Sequence, residues 1–362
     1  MKILVIQMKF IGDVLATSII CNNLKKIYPN SQIDFLVYPF TKPVIENNPN
    51  IDTIVFFEEK NKKSKIELIK LLLKIRKENY DIIIDAYGKL ESNLVTLFSK
   101  SKKKISYYKS YTNFFYTDTI KTIKVPKTNA GTSLENRMSL ISFFKTNETL
   151  EIKPKIFLTK DEIENGRNII ANYTKNEKQL IFMISVIGSG KEKTYPFSYM
   201  SKILDFLVDK TNAKLIYNYM ESQQKEANEI FSLCKENTKN NTFIQLVPGN
   251  LRDFLSITNH CDALIGNEGG AVNMAKALDI PTFTIFSPWI NKNDWNCFED
   301  GKKHVSVHLE DYKPEFYSSK EKKYFKKTSE EMYSELKPDF IFPKLESFLN
   351  QFSTELNDNE QD

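Results

Sequence analysis

The chain has 362 residues, long for one hydrophobic core and suited to two domains, with an ordinary globular composition and a net charge of +5. Four scattered cysteines, Cys21, Cys234, Cys261 and Cys297, form no Cys-x-x-Cys pair and exclude a disulfide scaffold, while no apolar run approaches the roughly 20 residues of a membrane-crossing helix. The charge is uneven: residues 1–150 hold 24 Lys and Arg against 14 Asp and Glu, the remainder 27 against 32, so an anionic partner is expected on the first half.

Ile3–Ile6 reads as a buried parallel strand, and its start directly after Met1-Lys2 leaves no room for a signal peptide, which predicts a cytoplasmic protein. Val14–Ile27 has helical spacing and is stopped by Tyr28-Pro29-Asn30. Ile33–Val37, Thr53–Phe57 and Ile82–Ile84 repeat the strand signal, with an amphipathic helix over Ile66–Arg76. The wider basic stretch Lys60–Lys77 is expected to pack its Leu71-Leu72-Leu73 centre on the sheet, contact with an anionic membrane being the second reading. Ser99–Lys104 reads as a cationic loop. The charged passage Glu151–Lys160 reads as a linker, with a helix from about Asp161.

The alternation then restarts. Strands are expected at Leu180–Val186, Lys214–Tyr217, Phe243–Leu246 and Asp262–Ile265, with helices at Ser198–Val208, Gln223–Cys234 and Leu251–Asn259 between them. Residues 302–328 are rich in Lys and aromatics, Pro338–Phe352 suggests a last helix, and Ser353–Asp362 a disordered tail. The expected organisation is an α/β domain over 1–155, a second over 156–328, a helical segment over 329–352 and the tail 353–362.

Two segments carry chemistry. After the fourth of these later strands, Gly266-Asn267-Glu268-Gly269-Gly270-Ala271 reads as a glycine turn opening a short helix to about Leu278. Glycines admit positive φ and close approach of a ligand, and the helix N-terminus presents unpaired N–H groups, so a phosphate or diphosphate is the natural occupant. In the first domain, Met8–Val14 puts Asp13 at a helix start, where it reads either as a helix N-cap or as a general base for an incoming hydroxyl. Gly188-Ser189-Gly190-Lys191 is not a Walker A loop, because Ser185 and Glu192 stand where Gly and Ser or Thr are required. No Gly-x-Gly-x-x-Gly follows the first strand, so a standard dinucleotide-dependent oxidoreductase is not expected. His304 and His308 lack further ligands and read as structural, and no metal site is expected.

The ordered set Ile3-Leu4-Val5-Ile6, Ile11-Gly12-Asp13-Val14, Asn48-Pro49-Asn50-Ile51-Asp52, Lys193-Thr194-Tyr195-Pro196 and Gly266–Gly270, followed by Ala275-Lys276-Ala277-Leu278, resembles glycosyltransferase family 9. These are the heptosyltransferases of lipopolysaccharide core assembly and their relatives. The resemblance implies a GT-B architecture of two doubly wound Rossmann-like domains facing a cleft. It implies inverting, metal-independent transfer of a heptose or similar sugar from a nucleotide-diphosphate donor such as ADP-heptose to an anionic glycolipid or oligosaccharide of the lipopolysaccharide core. No cofactor beyond the donor and no nucleic-acid partner are implied, and the work is placed at the cytoplasmic face of the inner membrane, with peripheral contact left open. Carried onto this chain, Asp13 becomes the base, with Lys9 and Gly12 in the acceptor-side loop. Lys193, Ser189, Glu268, Gly269, Gly270, Ala271 and Asn273 become the donor site. Glu268 stands where the family usually has Asp, and Asn273 where it usually has His, which leaves the donor's sugar and base open. Glu221 matches the family's acidic position after the preceding strand only with a gap. A catalytically inactive nucleotide-binding scaffold, or an NDP-sugar epimerase or hydrolase, is the alternative.

Overall fold

The computed structural model describes residues 1–174, 179–318 and 322–358. These form two compact units: Met1–Phe157 with Asn293–Cys297, and Leu158–Lys292 with Phe298–Asp362.

Unit 1 is a six-stranded, fully parallel sheet in the order β3-β2-β1-β4-β5-β6. The strands are β1 (Lys2–Ile6), β2 (Gln32–Val37), β3 (Thr53–Phe56), β4 (Ile82–Asp85), β5 (Lys103–Tyr107) and β6 (Asp118–Ile120). In β1, Ile3 through Ile6 are fully buried, because a parallel strand covered on both faces loses the alternation of a half-exposed one. The helices are α1 (Ile11–Ile27), α2 (Glu59–Lys63), α3 (Lys65–Lys77), α4 (Leu90–Phe98) and α5 (Gly131–Ser139). The expected basic helix Lys60–Lys77 is thus two. Ser64 ends α2 in extended backbone, and its side chain accepts the Glu67 N–H to cap α3. Within α3, Leu71 and Leu72 pack inward while Leu73 is exposed. The expected cationic loop at Ser99–Lys104 runs into β5, whose Lys103 and Lys104 are only half-buried and gave no apolar run.

Unit 2 is a five-stranded parallel sheet in the order β11-β10-β9-β7-β8. Its strands are β7 (Ile181–Ser185), β8 (Lys214–Asn218), β9 (Ala263–Asn267), β10 (Thr282–Ile285) and β11 (His304–Val307), flanked by α6 (Lys160–Thr174), α7 (Phe197–Thr211), α8 (Gln224–Leu233), α9 (Glu236–Asn240), α10 (Leu251–Thr258) and α11 (Gly270–Ala277). The strand expected at Phe243–Leu246 is absent. Leu215 bonds the chain for one bridge at Thr242, and the chain then curls, with Leu246 N–H returning to Phe243 O at 3.0 Å. β11 lies inside the stretch read only as Lys- and aromatic-rich. The last helix, Pro338–Asp358, runs past the expected end at Phe352 into the segment read as a disordered tail, whose end, 359–362, lies outside the described residues.

Gly266 sits in β9 at φ 130°, and a Cβ there would lie 2.4 Å from Ser185 O on β7. Gly266→Ala should therefore lower unfolding stability by about 2–4 kcal/mol, read by denaturant melts, through strain and overpacking together. His308, just after β11, accepts the Glu310 N–H and packs on Tyr317. Burial, with Lys292 nearby, lowers its pKa to about 4. The unfolded imidazole protonates near 6.5, so its neutral burial contributes fully above that pH and the contribution is lost as pH falls towards 4, by about 3 kcal/mol at most. His308→Asn keeps a capping acceptor and should lose correspondingly less stability between pH 7 and pH 4 than the native chain.

Candidate functional site

In each sheet one strand has neighbours reached by connections running in opposite directions, and the crevice beyond the carboxyl ends there is where ligands bind in open α/β sheets. In unit 1 that switch point lies between β1 and β4; in unit 2 it lies between β7 and β9.

At the unit 1 switch point, Asp13 lies in the first turn of α1 and is 7% exposed. The N-cap is Phe10, with no capping side chain, so the capping reading of Asp13 does not hold. Instead Asp13 Oδ1 accepts from Arg137 Nη2 at 3.0 Å, and Lys9 Nζ stands 3.5 Å from either carboxylate oxygen. Arg137, on α5, also donates through Nε to Thr17 Oγ1 at 2.8 Å and through Nη1 to Ser133 O and Oγ. Its guanidinium is thereby fixed in one plane, which leaves Oδ2 as the less committed oxygen of Asp13. Arg137 lies 124 residues from Asp13, and no local pattern announces it. Gly12 is half-buried and Lys9 exposed in the same loop.

Beside them, β4 ends in the fully buried Asp85. Its Oδ1 accepts from Tyr87 N–H and Gly88 N–H, and its Oδ2 meets Tyr116 OH at 2.6 Å, which holds the turn into α4. Burial raises the Asp85 pKa, opposed by these hydrogen bonds.

In unit 2 the carboxyl end of β9 is anchored by Asn267, which is fully buried. Its Oδ1 accepts from Tyr195 N–H at 2.8 Å, and its Nδ2 donates to Ser185 O and Val186 O at 2.9 and 3.0 Å. These bonds bring the Lys193–Tyr195 segment against the turn. Lys193 Nζ lies 2.9 Å from Glu268 Oε1 and 5.6 Å from the Trp289 ring centroid. Glu268 is 8% exposed, so this is a largely buried ion pair beside an aromatic face. Of the two glycines expected at positive φ, only Gly269 has it, at 157°; Gly270 opens α11 with ordinary backbone. A Cβ on either would meet nothing within 4 Å, so the space before the helix N-terminus is open. There the first N–H groups of α11, including that of Ala271, have no partner within the helix. Asn273 lies one turn further on and is half-buried, and Ser189 is exposed on the loop after β7.

A pocket of about 700 Å³ adjoins this turn within unit 2, lined by Asn218 at the end of β8, by Met220, Glu221 and Gln224 beyond it, by Val247–Leu251, and by Ala271 and Met274 of α11. It brings Glu221, whose alignment needed a gap, onto the same pocket as Ala271 of the glycine turn. Among the described residues no group of three His, Cys, Asp or Glu is arranged to hold a metal ion, and no helix is long and apolar enough to cross a membrane. His304 Nδ1 instead meets Thr282 Oγ1 at 3.1 Å.

The family model of glycosyltransferase family 9 (heptosyltransferase) matches residues 68–325. Lipopolysaccharide heptosyltransferase 1 of Campylobacter coli is 24% identical over 296 residues, covering 79% of this chain and 84% of that protein. The fold is that of the family 9 glycosyltransferase from Veillonella parvula, at TM-score 0.81 and 15% identity over 97% of both chains. It is also that of E. coli heptosyltransferase WaaC with ADP-2-deoxy-2-fluoro heptose, at TM-score 0.63 and 15% identity over 85% of this chain and 93% of that one. With two doubly wound units of the GT-B type and a family match across most of its length, the chain belongs to glycosyltransferase family 9, the heptosyltransferases.

Proposed function

We propose that the protein transfers a heptose, or a closely similar sugar, from ADP-heptose to a lipopolysaccharide-core or related glycan acceptor with inversion at the anomeric carbon. The observation that carries this reading is the open, glycine-lined N-terminus of α11 beside the Lys193–Glu268 pair and the adjoining pocket. The pairing of WaaC with an ADP-heptose analogue in its structure supports ADP as the nucleotide.

In this reading the diphosphate lies against the N–H groups at Gly270 and Ala271, and Lys193 balances the charge that develops on it as the sugar leaves. Glu268 orients the Lys193 ammonium. Asn273 and Ser189 offer neutral hydrogen bonds to the phosphates or sugar, and Glu221 accepts from the ribose hydroxyls. On unit 1, Asp13 removes the acceptor hydroxyl proton through Oδ2 while Arg137 holds Oδ1. The hydroxyl oxygen forms its bond to the anomeric carbon as the bond to the diphosphate oxygen breaks, so ADP departs with the electron pair and Asp13 keeps the proton. Lys9 and Gly12 line the acceptor side, and the basic excess of residues 1–150 suits an anionic acceptor.

Calorimetric titration should detect ADP binding, with Lys193→Ala weakening it about tenfold or more and Glu221→Ala several-fold. Failure of ADP and of every nucleotide sugar in a panel to bind would contradict the reading. Asp13→Asn should bind ADP within about twofold of the native chain while kcat for transfer falls about 100-fold or more. Unchanged kcat would remove Asp13 as the base. Donor breakdown at the full rate without acceptor would instead favour an epimerase or hydrolase.

A further inference from the structure

Unit 1 is completed by a short segment from elsewhere in the chain. Asn293–Cys297 lie between β10 and β11 in sequence, yet they pack with Met1–Phe157. Two contacts at the start of α5 hold them there. The buried Thr132 donates through Oγ1 to Asp294 Oδ1 at 2.7 Å. At Gly131, where φ is 79°, a Cβ would stand 3.2 Å from Asn293 O and 3.4 Å from Asp294 O, so a side chain there would push the segment away. The segment so held brings Trp295 to the clamp on Asp13: the guanidinium carbon of Arg137 lies over the Trp295 ring, 5.9 Å from its centroid.

The N–H groups of Arg137 are already committed, Nε to Thr17 Oγ1, Nη1 to Ser133 O and Oγ, and Nη2 to Asp13 O and Oδ1. These bonds satisfy the edge of the guanidinium and leave its charge open to an aromatic surface. We infer that Trp295 is a positioning residue for Asp13, acting through Arg137. The inference rests on the reading of Asp13 as the base. An aromatic face attracts the cation and keeps water from it, and an ion pair shielded from water is held more strongly. With Trp295 in place, Arg137 keeps its grip on Oδ1 and the carboxylate offers Oδ2 in one orientation. A hydrated guanidinium grips Oδ1 more weakly, and a base that leaves its orientation lowers the rate of the chemical step rather than the binding of substrate. Trp295 itself takes no part in proton transfer.

The test is steady-state transfer from ADP-heptose to a truncated lipopolysaccharide-core acceptor, using the full chain. Trp295→Leu, which keeps apolar bulk and removes the aromatic face, should lower kcat about tenfold with acceptor KM and ADP affinity within about twofold of the native values. Trp295→Phe should restore kcat to within about threefold of native. Thr132→Val, which breaks the bond to Asp294 and leaves the ring in place, should lower kcat about threefold in the same manner. In an Asp13→Asn background Trp295→Leu should cost less than about twofold, because the group it positions is gone, whereas damage to the fold would persist there. Native-like kcat in a folded Trp295→Leu or Thr132→Val chain, equal losses with Phe and Leu, or a loss undiminished in the Asp13→Asn background would overturn the inference and leave Asp13 as the base. Native-like kcat in Asp13→Asn alone would overturn the base reading and this inference with it.

Discussion

The proposed donor side of the site depends on one buried side-chain amide. Asn267 ends β9, and its three hydrogen bonds reach the exit of β7 and the backbone of Tyr195, using most of what an amide can offer. The fully buried Tyr195 ring secures the far end of this segment by donating to Leu336 O. The consequence is a Lys193 ammonium held against Glu268 while the α11 N-terminus stays uncovered. A buried ion pair of this kind adds little net stability, because desolvating both charges offsets most of their attraction. In the proposed reaction its value lies in orientation, as a cation already desolvated and fixed needs no rearrangement when charge grows on a leaving group.

Unit 1 uses the same logic with opposite polarity. There the fixed group is a carboxylate, and Arg137 clamps one of its oxygens from a different helix while Thr17 and Ser133 hold the clamp. The neighbouring Asp85 spends its hydrogen-bonding capacity on the Tyr87–Gly88 turn and Tyr116, so it shapes the carboxyl edge of the sheet rather than facing a ligand with a free oxygen. The acid after β1 and the acid that ends β4 thus differ in what surrounds each.

How far the sequence revealed this follows from the range of each interaction. Buried parallel strands such as Ile3–Ile6 and Leu180–Val186 announce themselves because burial on both faces leaves an unbroken apolar run. The glycine turn was legible because φ, helix start and residue type are all local. β5 was hidden because its half-buried lysines mimic a loop, and Phe243–Leu246 misled because an apolar run beside β8 pairs for only one residue before it turns back. Arg137 and the anchoring role of Asn267 were out of reach for a different reason: their partners lie 124 and 72 residues away, and only the folded sheet brings them together. Asn267 stood inside the quoted turn yet carried no mark of its task. Glu221 was visible as a residue and became meaningful only when the pocket brought it beside Ala271 and Met274.

The central claim is that these residues perform one sugar transfer with an ADP-linked donor. Its most direct measurement is mass analysis of truncated lipopolysaccharide-core acceptors incubated with ADP-heptose and the purified chain, with released ADP measured in parallel. The account predicts an acceptor heavier by one heptosyl residue and one ADP released for each. ADP release without any gain in acceptor mass, or no consumption of the donor by a chain that binds ADP, would contradict it.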